Sequence, residues 1–166
     1  MVKKGIISYL LLIGLLVGCS ASVEEVIEET KQTTAQTFEA EPMEPNQTES
    51  TFSYFLPSDM KEETVEENNL ILQQGEQLFI LFVNPNEEQN SEELYKSTVL
   101  ESENDLLNET FKDEERFGYV KVESVEEDSY QLSIGIGGVK MTTVTELKKV
   151  KDNAEQMMQI VSSVKY

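Results

Sequence analysis

Apolar and polar residues divide the chain into regimes of different character. From Gly5 to Gly18 there is a run of 14 residues that is apolar except at Ser8 and Tyr9. Residues 20–50 are rich in Glu, Thr, Gln, Ser and Pro, and their few apolar positions keep no sustained period. A segment of that composition cannot bury enough surface to offset its ordering entropy, so a disordered acidic tether is expected there, with Val23 to Thr33 forming a transient helix. As a random coil its 31 residues would span about 30 Å root-mean-square.

Periodic patterns return at residue 51, and residues 51–166 are expected to fold as one α+β domain of 116 residues. Phe52, Tyr54 and Leu56 alternate with their neighbours and predict a first strand, Thr51 to Leu56, ended by Pro57. Leu70–Leu72 and Leu78–Val83 predict a hairpin around Gly75. The second of these runs is apolar on both faces, which predicts a central strand covered on both sides. Pro85 stops it. Asn90 and Glu93 have capping-box spacing ahead of a stripe of Leu94, Tyr95, Thr98 and Val99, so a helix is expected to about Leu100. Residues 102–115 are polar, with Leu106, Leu107 and Phe111 embedded, and read as a loop with one helical turn.

Three strands follow: Phe117 to Val125, then Tyr130 to Ile136, then Val139 to Thr145. Glu126–Asp128 and Gly137–Gly138 are the turns between them. Leu147, Val150, Ala154, Met157, Met158, Val161 and Val164 form one helical stripe, capped by Thr145 or Thr143. The expected order is β-β-β-α-β-β-β-α, an antiparallel sheet of about six strands packed with two helices. At the level of element order this resembles the PsbP-like fold found in several exported binding modules, and such a likeness does not by itself imply a function.

The first apolar run carries an address. A spanning helix needs about 20 apolar residues, whereas the apolar core of a secretory signal needs about 7–15 and a positive flank. Lys3 and Lys4 supply that flank. The run ends in Leu16-Val17-Gly18-Cys19, which resembles the lipobox of bacterial lipoproteins and, with the rest of the chain, small lipoproteins of low-GC Gram-positive bacteria. The resemblance implies recognition of Leu16 and Gly18 by the signal peptidase, removal of residues 1–18, and a diacylglyceryl group on Cys19. The protein would then sit on the outer face of the cell membrane, anchored through lipid. Cys19 is the sole cysteine, so no internal disulfide is available.

Charge narrows the partners. Without residues 1–18 the chain keeps 11 basic and 32 acidic side chains, a net charge of −21. Nucleic acid is disfavoured, and a basic partner or cations are favoured. There is no histidine and no tryptophan. The usual general base, the commonest metal ligand and every Ser-His or Cys-His arrangement are therefore missing, and a sugar cleft would have few aromatic platforms.

Four groups of residues are candidates for chemistry. Gly135-Ile136-Gly137-Gly138 precedes a strand, not a helix, so it reads as a hairpin turn and not a phosphate loop, with Gly135 marking a bulge or a close helix approach. Asn104, Asp105, Asn108, Glu109, Asp113 and Glu114 are hard oxygen ligands, but they lack EF-hand spacing and read as solvated charge, as do Glu62, Glu63, Glu66 and Glu67. Met157 and Met158 read as core. No catalytic residue, metal site or cofactor is expected. The function expected is a non-catalytic binding module that meets an envelope protein or a basic partner. The alternative is a carboxylate-based divalent-cation binder or enzyme.

Overall fold

A computed structural model describes residues 21–66, 68–99 and 103–166. Leu16, Gly18, Cys19 and Glu67 lie outside the described residues. The architecture is α+β: a seven-stranded antiparallel sheet with two long helices on one face and a short third helix on the other.

The first element corrects the expected tether. Helix α1 runs from Val23 to Glu39. Ser22 caps it, its Oγ accepting from the Glu25 N–H at 3.2 Å, and Glu24 and Glu25 place negative charge in the first turn, where the helix dipole favours it. The buried stripe is Val26, Thr30, Thr34 and Phe38, one residue per turn on a single face. Half of that stripe is threonine. The Thr30 and Thr34 hydroxyls donate to the carbonyls of Val26 (2.6 Å) and Thr30 (2.7 Å), which lets them be buried without orphaned polar groups. Packed structure therefore reaches back at least to Ser22, about 30 residues before the expected boundary.

A two-stranded ribbon follows, β1 (Gln47–Thr48) with β2 (Ser53–Tyr54). The expected strand from Thr51 to Leu56 shrinks to this pair and stays out of the main sheet. Its alternation survives: Phe52 and Tyr54 are buried. Ser53 exchanges both backbone hydrogen bonds with Lys165 (2.8 and 2.9 Å), which ties this segment to the C-terminus.

The main sheet has the order β3-β4-β5-β9-β8-β7-β6. Its strands are β3 (Lys61–Glu66), β4 (Asn69–Gln74), β5 (Gln77–Val83), β6 (Asp105–Lys112), β7 (Phe117–Glu126), β8 (Ser129–Ile136) and β9 (Val139–Thr145). The hairpins expected around Gly75 and Gly137–Gly138 form as read. The two edge strands are the unexpected ones. β3 occupies an acidic stretch, and β6 occupies the expected loop, where Leu107, Glu109 and Phe111 point inward and Leu106, Asn108 and Thr110 outward.

Helix α3, Leu147–Ser162, crosses β8 and β9 with Val150, Ala154, Met157, Met158 and Val161 buried. Its N-cap is Glu146 and no side chain caps it; the Thr145 hydroxyl instead accepts from the Asn153 Nδ2 at 2.9 Å. α1 lies beside α3 and over β6 and β7. Phe38 docks so closely on β7 that a Cβ at Gly118 would stand 2.8 Å from its ring. Arg116 closes this contact, with its guanidinium carbon 4.5 Å from the Phe38 ring centroid and its Nη2 donating to the Phe38 carbonyl at 2.8 Å. Among the described residues no helix is long and apolar enough to cross a membrane.

Candidate interaction face

The helices α1 and α3 cover one face of the sheet. The other face is divided. Over β7 and β8 it is closed by the segment after Asn84, which carries helix α2, Glu93–Thr98. The Asn90–Glu93 capping box does not form: the N-cap is Glu92, and the Ser91 Oγ accepts from the Glu93 N–H at 3.3 Å. Tyr95 is the anchor of this strap. Its ring stacks at a tilt on Tyr119 (5.2 Å between centroids) and Phe117 (5.3 Å), and its hydroxyl donates to the Asn108 Oδ1 at 3.3 Å.

Beneath the strap Tyr119 is fully buried, and burial pushes its phenol up to about 12. The Tyr119 ring explains Gly135, its partner across β7 and β8. A Cβ there would meet the Tyr119 Cε1 at 2.5 Å, so the glycine marks neither a bulge nor a helix approach. Lys121 lies on the same buried side, 2% exposed, between Glu123 (3.0 Å) and Asp105 (3.2 Å). Desolvation pulls its ammonium pKa down, but the hydrogen bonds and charges of the two carboxylates outweigh this and hold it above its ordinary value.

Over β4, β5 and β9 the same face is open. Leu78, Ile80 and Val144 are 51%, 51% and 53% exposed. Ile71 faces Ile80 across the β4–β5 register, Thr142 faces it from β9, and Lys140 faces Phe82. A depression of about 360 Å³ sits where this surface meets the strap, lined by Asn69, Ile80, Phe82, Leu94, Lys140 and Thr142. β5 is thus interior in strand order but covered on one face only, which corrects the expectation of double burial. Phe79, Leu81 and Val83 fill the core, while Leu78 and Ile80 meet solvent. The signal was present in the sequence: a strand apolar on both faces needs a second cover, and this fold supplies only half of one.

The acidic candidates are dispersed. Asp105 pairs with Lys121, Glu109 with Lys31 of α1 at 2.8 Å, and Asp113 with Arg116 at 2.7 Å. Asn108 holds Tyr95. Glu62 accepts from the Tyr54 hydroxyl at 2.5 Å, and Glu63 pairs with Lys61. Among the described residues no group of three or more Asp, Glu, His or Cys side chains is placed to hold a metal ion. A polar cleft of about 440 Å³ lies along α3, where the Asp59 carboxylate accepts from Gln74 (2.6 Å) and Gln156 (3.4 Å). Met157 and Met158 are fully buried core residues.

No family model matches this chain, and no curated protein matches it significantly.

Proposed function

We propose that the protein is a lipid-anchored, extracytoplasmic binding module without catalytic activity, and that the open half of its sheet is the binding surface. The observation that carries this reading is the row of Leu78, Ile80 and Val144, each more than half exposed and side by side on a rigid sheet. Contiguous exposed apolar surface rimmed by polar residues is the usual mark of a protein interface. A chain of net charge −19 does not favour its own copy as the occupant. The partner of matching chemistry is an envelope protein segment that is apolar at its centre and basic around it. The lipobox-like Leu16-Val17-Gly18-Cys19 supports an anchor on Cys19, and with it a position on the outer face of the cell membrane.

The test is chemical crosslinking on intact cells with wild type and Ile80→Glu, followed by purification and mass spectrometry. The reading predicts an envelope protein that crosslinks to the wild type and is lost from the variant at equal abundance. The same partners recovered at the same yield from both would refute the open face as the binding surface.

A further inference from the structure

The docking of α1 changes how the anchor relates to the domain. With a coil to residue 50, the domain would float about 30 Å from the lipid. The helix instead begins at Val23 and is fastened along its length. Val26, Thr30, Thr34 and Phe38 are buried, Lys31 pairs with Glu109, and Arg116 binds the helix C-terminus at the Phe38 carbonyl. Only three residue steps separate Cys19 from the capping Ser22, a reach of about 11 Å at full extension.

The surroundings of that helix N-terminus are well defined. Ala21 and Val26 share a hollow of about 750 Å³ with Glu127, Asp128, Ser129, Glu146, Leu147 and Lys148. The N-terminus of α1, the β7–β8 turn and the β9–α3 junction therefore make up one end of the domain. The opposite end holds the Gly137–Gly138 turn, the start of β7 and the segment Asn84–Gln89, joined by hydrogen bonds of 2.9 Å from Asn84 N to Gly138 O and from Phe117 N to Gln89 O. The 17 residues of α1 connect the two ends, a length of about 25 Å.

We infer that the end formed by the α1 N-terminus, the β7–β8 turn and the β9–α3 junction is held against the lipid surface, with the far end directed away from it. This inference rests on the lipidation of Cys19. Glu24, Glu25, Glu127 and Asp128 stand at the near end, where Lys148 pairs with Glu146 at 2.6 Å and leaves an acidic excess. The short reach of the anchor holds this end close, and because the Debye length of about 8 Å is comparable to that reach, repulsion from anionic lipid opposes its insertion. β5 and β9 run between the two ends, so the open face with Ile80 and Val144 is turned sideways, toward neighbours within the membrane plane. The partner it fits is one that is itself close to the bilayer.

The test uses full-length lipidated protein in vesicles that contain an acceptor dye in the lipid headgroups. A donor is attached at Glu127→Cys, near the anchor, or at Asn86→Cys, at the far end; both positions are exposed. The inference predicts stronger energy transfer from position 127, equivalent to a dye about 20–25 Å closer to the bilayer. It also predicts that ten Gly/Ser residues inserted between Ser20 and Ala21 abolish the difference. Equal transfer from both positions, or stronger transfer from 86, would overturn it. Thiol labelling of the wild type separates the two failures. A lipidated Cys19 is a thioether and does not label, so labelling of the wild type would sink the anchor reading itself.

Discussion

Phe38→Ala isolates the claim that α1 belongs to the core. Phe38 is 3% exposed, packs on Phe111 at 5.7 Å between ring centroids, lies under the Arg116 guanidinium and fills the space above Gly118. Truncating a buried phenylalanine to alanine costs about 3–5 kcal/mol through lost transfer energy and a residual cavity. The site is at the end of a helix, where the surroundings relax more readily, so the lower part of that range, about 3 kcal/mol, is expected. With a urea m-value of about 1–3 kcal/mol/M, the unfolding midpoint should fall by about 1–3 M at unchanged slope. Gln36→Ala, an exposed change on the same helix, should shift stability by less than about 0.5 kcal/mol. The assay is equilibrium urea unfolding of a soluble form starting at Ser22, followed by circular dichroism. If Phe38→Ala behaved like Gln36→Ala, α1 would not be docked in solution, and the membrane-apposed arrangement would fall with it.

Gly135→Ala should lower stability by about 1–3 kcal/mol, because its Cβ would meet both the Tyr119 ring and the Val139 carbonyl at 2.6 Å; an unchanged melting temperature would contradict the packing described. Ile80→Glu should change stability by less than about 0.5 kcal/mol, since half of Ile80 already meets water; a large loss would mean that this face is core and not a binding surface. Stability should fall as pH rises above about 10. Lys121, Tyr54 and Tyr119 all have folded pKa values raised above the ordinary ones, so the unfolded chain releases these protons first and gains from rising pH. A stability flat from pH 9 to about 12 in alkaline melts would refute that assignment, as would early ultraviolet titration of every tyrosine.

How much of this was legible depended on whether burial was carried by apolar side chains. The stripe from Leu147 to Val161 and the hairpins at Gly75 and Gly137 were plain, because their inward positions are apolar and their turns carry glycine. α1 was not, because Thr30 and Thr34 occupy its buried stripe. Two signals were nevertheless present: the four-residue spacing from Val26 to Phe38, and Ser22 three residues before Glu25, which has the form of a capping box. β6 was hidden in the same way, since the inward Glu109 looks solvated until Lys31 arrives from a helix distant in sequence. The open face was hidden for a different reason. A strand with both faces apolar says that two covers are needed, but not whether the chain itself provides the second.

That second cover is the central question, and photocrosslinking from the face answers it most directly. A photoreactive residue is placed at Ile80 or, as a control on the helix side, at Lys149, which is exposed. Both proteins are expressed in intact cells and irradiated. A discrete adduct with a membrane-apposed protein is expected from position 80 and none from position 149. No adduct from position 80, or the same adducts from both positions, would contradict it.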